Sequence, residues 1–314
     1  MKSMPRRIIV ICLLVACAAV RLVAQDSTYN EQEGVVPVKK KDLGLSWGVN
    51  AVLTSNYIWR GLYVAGPSVQ VDATINYKGL FANMWWNVGA TDWTFTELNP
   101  ELDLTIGFSR WGVTVLYMHM YYFDYYKDGT RSKFFDFRNQ APGGGGSTGE
   151  WRVLYGIPVY TSPKGLTTSV SALCGVRTFG RDGYYDANGE LKRAYSSYME
   201  VGCDQELGEK WTLGARVGIT PAKSLYTGFQ GDFAVTLVGL KLNKKWDLGK
   251  KQNASHAPTK CVGESKGGRG AGSLNAYAHM MLQPWQVNKD NLILPITQAG
   301  DQKLNLAVGV SWSM

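Results

Sequence analysis

Cysteine and histidine are scarce in this chain of 314 residues, which has five of the first and three of the second. Two cysteines lie in the apolar N-terminal segment, whereas Cys174, Cys203 and Cys261 are spread over the rest of the chain. Three scattered cysteines match neither a disulfide framework nor the paired spacing of a zinc ribbon. We therefore expect no metal site and no cofactor. A disulfide between Cys174 and Cys203 stays open, because the sequence does not fix the register of their segments.

No apolar run is long enough for a membrane-spanning helix, which needs about 20 residues. The run Ile8–Val20 has the length of a signal-peptide core and follows a short basic segment. With a cut near Ala24, we predict a cleaved signal peptide at residues 1–24 and a periplasmic N-terminal segment at residues 25–42. The alternative is a bacterial lipid-attachment site at "LVAC", which would leave a lipidated Cys17.

The chain has an excess of basic charge, but most of it is local. The formal charge of +8 falls to +4 without residues 1–24, which hold four basic residues and no acid. Residues 241–269 alone hold eight basic and two acidic residues, so the rest of the mature chain is slightly acidic. A nucleic-acid binder needs a basic face and not one basic segment. The composition therefore argues against a nucleic-acid partner.

What the chain has in abundance is alternation of apolar and polar residues with period two, which is typical of strands with two unlike faces. In Val69–Tyr77 every second residue is apolar and those between are polar. Many of these segments reach ten residues, about the length that a tilted strand needs to cross a bilayer. About twelve strands are predicted: Leu45–Arg60, Val69–Tyr77, Leu80–Ala90, Glu101–Phe108, Val113–Tyr126, Arg152–Val159, Ser169–Arg177, Tyr198–Asp204, Trp211–Val217, Phe233–Lys245, Leu274–Met280 and Lys303–Met314.

The connections between these segments alternate in length. Short turns occur at residues 77–80, 110–112, 162–165 and 206–210, and long loops at 91–100, 127–150, 180–193 and 220–232. Short turns at one end and long loops at the other are typical of an outer-membrane barrel. A basic, Gly-rich insert at residues 247–272 departs from this layout, because strand parity assigns it to the short-turn end.

A water-soluble β-sandwich also alternates, but its polar faces would be solvated and rich in Lys and Glu. Here the polar faces carry mainly Gly, Asn and Thr with isolated charges, and the apolar faces include Trp86, Trp211 and Trp312, as an aromatic girdle would. The prediction is therefore an all-β protein, a transmembrane antiparallel β-barrel of about 12 strands over residues 43–314.

The stretch "TSNYIWRG" at residues 54–61, followed by "SVQVDATINYKGLFANMWWNVG" at residues 68–89, resembles the start of the TorF family of porin-like barrels. The resemblance is most specific over residues 44–125. It implies the outer membrane of a Gram-negative bacterium, with outer-membrane lipid and the barrel-assembly machinery as partners. Two features depart from the family pattern: the insert at residues 247–272, and Met314 where such barrels commonly end on Phe.

If the apolar faces meet lipid, the other faces line the lumen. Acids dominate strands two to four and arginines dominate strands six to nine, which predicts a channel for passive passage of small polar solutes, filtered between the two walls. The alternative is a closed structural or ligand-binding barrel without conduction, sealed by arginine–carboxylate pairs. The expected lumen residues are Arg60, Asp72, Glu101, Asp103, Arg152, Arg177, Glu200, Asp204, Arg216 and His279.

Arg60 is the most specific of these expectations. If the first strand runs to Arg60, then Ser55, Tyr57 and Trp59 point to the lipid and Arg60 points inward at the outer mouth. It would there face Asp72 on the next strand or an entering solute.

Enzymatic and metal-binding alternatives have weak support. The histidines are His119, His256 and His279. His279 has no Ser or Asp at a diagnostic spacing, and His256 lies in the basic insert, where we expect it to be solvated. We expect His119 to be packed among aromatic residues and we expect no enzyme; a barrel-embedded hydrolase is the less favoured alternative. The stretch "YYDANGELK" at residues 184–192 resembles a calcium loop, but its acids lack the required spacing. It is interpreted as a surface turn.

Overall fold

The computed structural model describes residues 45–90, 98–123, 132–141, 146–248, 273–282 and 304–313. The predicted signal peptide, the N-terminal segment and residues 249–272 of the basic insert lie outside these residues. Among the described residues, no helix has the length and apolar character needed to cross a membrane.

In the described part of the chain, twelve antiparallel strands close into one barrel, and two small hairpins form sheets of their own that are not part of its wall. Barrel neighbours follow chain order and the last strand, Leu304–Ser313, pairs with the first, Leu45–Thr54, so the predicted strand number and fold class are confirmed. A single 3-10 turn, Leu225–Thr227, lies between the strands Trp211–Thr220 and Ala234–Asp247 within the described part of the chain. The strands are β1 (Leu45–Thr54), β2 (Tyr57–Trp59), β3 (Leu62–Ala65), β4 (Ser68–Tyr77), β5 (Leu80–Ala90), β6 (Leu98–Arg110), β7 (Val113–Tyr122), β8 (Ser147–Thr161), β9 (Thr167–Gly180), β10 (Gly183–Tyr185), β11 (Leu191–Arg193), β12 (Ser197–Glu206), β13 (Trp211–Thr220), β14 (Ala234–Asp247), β15 (Ser273–Leu282) and β16 (Leu304–Ser313).

Tight turns connect neighbouring strands at one end of the barrel. In the turn between β4 and β5, Lys78 and Gly79 have φ values of 50° and 90°, and Tyr77 pairs with Leu80. Positive φ at both central residues is what a two-residue type I′ hairpin requires, and its twist matches that of the strands. β14 ends and β15 begins at this same end, as strand parity predicted for the insert.

The two faces of the sheet are inverted relative to a water-soluble protein. On β4, Val69, Val71 and Ile75 are exposed on the outside, whereas Gln70 and Thr74 are buried inside. Soluble proteins seldom expose large contiguous apolar surfaces, and a polar interior beneath an apolar exterior is characteristic of transmembrane barrels. The predicted facing of the alternating segments is therefore confirmed for this strand.

Small residues on the inner wall leave room for long charged side chains. A Cβ atom on Gly175 would lie 2.2 Å from Oε1 of Glu150, and one on Gly202 would lie 2.2 Å from Nη1 of Arg216. Larger residues at these two positions would therefore displace the charged groups. The glycines of the polar face thus leave room in the lumen for these charged side chains.

The cysteine pair that the sequence left open does not form a disulfide. Both Cys174 and Cys203 are free, and Cys203 pairs in register with Val170 while Cys174 pairs with Met199. An offset of four residues corresponds to about 13 Å along a strand, well beyond the reach of a disulfide.

His119 lies on the outer side of the barrel wall within an aromatic cluster. Its ring centroid is 4.8 Å from that of Phe134, 5.2 Å from that of Phe135 and 5.7 Å from that of Phe179. Its Nε2 atom is 2.6 Å from the carbonyl oxygen of Phe134. The prediction of a packed histidine at this position is confirmed.

Candidate functional site: the lumen and its internal hairpin

The β2–β3 hairpin folds into the barrel instead of extending its wall. β1 ends at Thr54, which pairs with Ser68 at the start of β4, and the hairpin is inserted between them. Arg60 and Gly61 form its tip, with φ values of 52° and 84°. A Cβ atom on Gly61 would lie 2.1 Å from the backbone oxygen of Thr236. The tip therefore reaches the wall at β14.

Arg60 is held at the tip by a buried carboxylate. Its Nη2 and Nη1 atoms lie 2.7 and 3.1 Å from the two carboxylate oxygens of Glu150, in the bidentate arrangement that gives strong, oriented pairing. Nη1 also donates to the Tyr226 hydroxyl at 2.5 Å, and Arg152 Nε donates to Glu150 at 2.9 Å. A bulge between Gly149 and Glu150 sets this carboxylate opposite Arg177. The single carboxylate of Glu150 thus interacts with several arginines.

Aromatic rings enclose the Arg60 guanidinium. Its carbon lies 4.5 Å from the Trp59 ring centroid and 4.4 Å from the Tyr198 ring centroid, within the range of cation–π attraction. The hairpin and these rings belong to one buried cluster that occupies the lumen at this level. Its apolar members are Trp59, Leu62, Val64, Phe81, Leu116, Met118, Met120, Tyr122, Leu154, Leu173, Tyr198, Leu225 and Tyr226.

Two expectations for the end of the first strand were wrong, the lipid-facing Trp59 and the pairing of Arg60 with Asp72. Trp59 is buried in the lumen and does not face lipid, and Arg60 binds Glu150 and not Asp72. Asp72 instead accepts a hydrogen bond from Asn50 at 2.9 Å. The physical reason is that the chain leaves the sheet after Thr54, so the period of two no longer reports which side of the wall a residue faces.

The predicted basic wall is internally paired. Arg216 Nη2 lies 2.9 Å from Asp204, and its Nε lies 3.6 Å from Glu200. Glu200 also accepts a hydrogen bond from the Tyr198 hydroxyl at 2.6 Å. Arg177 is fully buried and donates from Nη1 to a threonine hydroxyl at 3.1 Å. The charged side chains of this wall therefore pair with one another, although they also face the lumen.

Three of the predicted lumen residues lie together elsewhere. Glu101, Asp103 and His279 line an internal pocket with a cavity volume of about 60 Å³. The rest of its lining mixes amides, aromatic rings and methionines, without Lys or Arg: Thr54, Asn56, Tyr57, Ile58, Trp59, Gln70, Asn83, Trp85, Met118, Met120, Tyr277, Met281 and Ala307. Residues of β2 line this pocket, so the β2–β3 hairpin contributes both to the pocket and to the contacts around Arg60 and Glu150.

Sequence reasoning missed the partners of Arg60. Glu150 was interpreted as the end of a long loop, although its spacing of two from Arg152 would have indicated a shared inward face. Tyr226 lies in the 3-10 turn of a long loop, and no sequence signal indicated its position in the lumen. Among the described residues, no cluster of three or more His, Cys, Asp or Glu side chains could hold a metal ion.

The structure defines a closed twelve-stranded barrel with an apolar exterior, a charged interior and an internal hairpin. No protein-family model matches the chain, and the comparison with curated proteins gives no match; the resemblance to the TorF family stays a prediction.

Solved structures of similar shape include two channels and one further protein. The NanC porin has 8% identity and a TM-score of 0.42, with 86% of this chain and 99% of that chain covered. An outer membrane channel from Pseudomonas putida F1 has 9% identity and a TM-score of 0.37, with coverages of 91% and 99%. CdiB from Acinetobacter baumannii has 9% identity and a TM-score of 0.34, with coverages of 89% and 60%. Likeness at this level says nothing about what this chain binds.

Proposed function

We propose that this protein is an outer-membrane channel for small polar solutes, and that the β2–β3 hairpin closes its lumen in the present conformation. The observation that carries the proposal is the inverted barrel wall, with polar and charged side chains facing an internal pocket. An apolar exterior suits lipid, and a polar interior suits a water-filled path. A twelve-stranded barrel is intermediate in width between filled and open barrels, so one short hairpin can obstruct it.

The proposed location is the outer membrane of a Gram-negative bacterium, reached after removal of the signal peptide. The exposed aromatic side chains Trp86, Trp211 and Trp312 support it, because such rings favour the membrane interfaces. Outer-membrane lipid and the barrel-assembly machinery are the partners that this location implies.

Selectivity in this proposal is electrostatic and involves no covalent chemistry. Asp72 lies on β4, and Glu101 and Asp103 lie on β6, the two strands on either side of β5, whereas Arg216 lies across the barrel on β13. A polar solute with separated charges would be oriented between the two walls, as charged rings orient ions in other pores. The ten predicted lumen residues would act in this filtering.

A second candidate is a closed ligand-binding barrel without conduction. The Arg60–Glu150 pair favours it, since both side chains are at most 4% exposed and a buried bidentate pair holds its elements firmly. The two candidates differ in whether the hairpin can leave the lumen.

Removing the hairpin tests the channel directly. Because Thr54 and Ser68 are paired neighbours, residues 55–67 can be replaced by a short Asn-Gly turn without altering the barrel strands. In planar bilayers, we expect low or intermittent conductance for the complete protein and a several-fold larger, sustained conductance for the hairpin-deleted variant.

The matched control shortens the exposed tip of the β10–β11 hairpin at residues 186–190, outside the lumen. Its conductance should equal that of the complete protein. A hairpin-deleted variant that assembles as a heat-modifiable barrel but passes no current above the lipid baseline would refute the channel and favour the closed barrel.

A further inference from the structure

The internal pocket has the chemistry of a cation site. We propose that it binds a small organic ammonium ion, with the ammonium group against Glu101 and Asp103 and the carbon chain against the aromatic and methionine side chains. The inference deepens the proposed channel function and rests on it, because the pocket lies within the lumen.

The first argument is a concentration of hydrogen-bond acceptors on one wall. Glu101 and Asp103 share the inner face of β6, and Glu101 pairs in register with Asn87, which pairs in turn with Gln70. Gln70, Glu101 and Asp103 all line the pocket. Carboxylates accept hydrogen bonds only, whereas an alkylammonium offers up to three donors. The wall therefore complements a donor-rich cation.

Asn87 provides an independent indication of a missing donor. It is fully buried on the inner face between two pocket residues, and its Nδ2 donates to the backbone oxygen of Asn99. Its Oδ1 has no hydrogen-bond partner among the described residues. Asn87 does not itself line the pocket, but a buried acceptor without a partner costs stability, so this layer of the wall is short of donors and not of acceptors.

The rest of the lining suits the carbon part of such a ligand. Trp85 pairs in register with Asp103, and its ring centroid lies 5.5 Å from that of Tyr57. Ring faces attract cations, and the thioethers of Met118 and Met281 pack adaptably around alkyl groups. The cavity volume of about 60 Å³ is several times the roughly 10–15 Å³ that one water molecule needs, which suits a ligand of a few heavy atoms.

Two other ligand classes fit less well. An anion would meet two carboxylates and no Lys or Arg in the lining; Lys241 contacts the pocket residue Tyr277, with Nζ 5.0 Å from the ring centroid. A bare metal ion would need more ligating groups than the described residues bring together. An organic monocation satisfies both the carboxylates and the apolar lining.

Isothermal titration calorimetry on the complete, refolded protein in detergent micelles tests the proposal. The probe is n-butylammonium chloride, compared with 1-butanol, sodium butyrate and magnesium chloride at equal ionic strength. We expect butylammonium to bind at least about tenfold more tightly than butanol, since hydrogen bonds to charged groups are stronger than those between neutral groups. Butyrate should not bind, and magnesium should not displace butylammonium.

Glu101→Gln and Asp103→Asn should each weaken butylammonium binding at least about tenfold. Glu190→Gln, in the exposed tip of the β10–β11 hairpin, is the matched control and should leave binding unchanged. Heat-modifiable migration checks that each variant is folded. Because the comparison of butylammonium with butanol needs no variant, misfolding of either variant leaves the test decisive.

Equal affinity for butylammonium and butanol, or displacement by magnesium at equal concentration, would overturn the proposal. Conductance of the hairpin-deleted variant separates this outcome from failure of the channel. Conductance with no butylammonium binding overturns the cation pocket and leaves the channel standing. Binding with no conductance supports the pocket and overturns the channel.

Discussion

At the scale of single residues, the charge of Glu150 organises the centre of the lumen. Its carboxylate contacts Arg60 and Arg152, and Arg177 lies opposite it across β8 and β9. Breaking a buried ion pair is most costly when it leaves an uncompensated charge. Loss of Glu150 would deprive several arginines of a shared acid, whereas loss of Arg60 would leave Glu150 paired with Arg152.

We therefore predict that Glu150→Gln lowers the free energy of unfolding by about 3–5 kcal/mol, and that Arg60→Met lowers it by less. Urea unfolding in detergent, followed by tryptophan fluorescence, measures both. The control is Lys192→Met, which removes an exposed pair with Glu190 and should leave the free energy of unfolding nearly unchanged. A larger loss for Arg60→Met than for Glu150→Gln would contradict this account.

Asp182, in the loop between β9 and β10, gives a pH-dependent prediction. Burial raises the pKa of its carboxyl from 3.8 to about 6, against the opposing effects of hydrogen bonds from Ser196 and the charge of Arg177. The folded state thus holds the proton more tightly than the unfolded state. Its contribution to stability is complete below about pH 4 and is lost as the pH rises through about 6, an effect of about 3 kcal/mol.

Asp182→Asn removes this titration while keeping a similar shape. The variant should match the wild-type protein at pH 4 and exceed its unfolding free energy at pH 7.5, provided that the amide oxygen still accepts from the Ser196 N–H. Comparing urea unfolding of the two proteins at several pH values cancels the other titrating groups. A stability difference that does not vary with pH would show that Asp182 does not titrate in this range.

At the scale of elements, the strands were predictable and the hairpin was not. β4 was predictable because its inward and outward residues differ in polarity at every position, and a slip of one residue would reverse both faces. β2 continues the same alternation through Tyr57 and Trp59, yet its environment is the lumen on all sides. A period of two assigns residues to the two faces of a strand, but it does not show where the chain leaves the barrel wall.

The turn residues of this stretch contained the signal for the β2–β3 hairpin that the periodicity lacked. Arg60-Gly61 and Gly66-Pro67 lie within one 13-residue connection between Thr54 and Ser68, and Gly-containing pairs of this kind mark turns. Two turns in so short a stretch indicate a hairpin instead of one long strand. The contacts of Arg60 were beyond prediction, since Glu150 and Tyr226 lie 90 and 166 residues away in sequence and depend on barrel closure.

At the scale of the whole molecule, a substitution on the apolar exterior can show whether this surface faces water or lipid. Val201 is 61% exposed on the outer face of β12, and its pairing partners Ala172 and Val217 are also small or apolar. In water, an exposed valine could be replaced by arginine at little cost, whereas a lipid-facing arginine near the bilayer midplane costs about 2–4 kcal/mol. The same substitution therefore has different results in the two cases.

We predict that Val201→Arg destabilises the barrel in lipid vesicles by about 2–4 kcal/mol and reduces its yield of heat-modifiable, folded protein. Tyr185→Arg is the matched control, because Tyr185 is 57% exposed but lies on the small β10–β11 hairpin outside the barrel wall. Urea unfolding in vesicles measures both variants. If Val201→Arg were as stable as the control in vesicles, the exposed apolar face would not be in contact with lipid, and the inverted barrel would need a protein partner around it instead of a membrane.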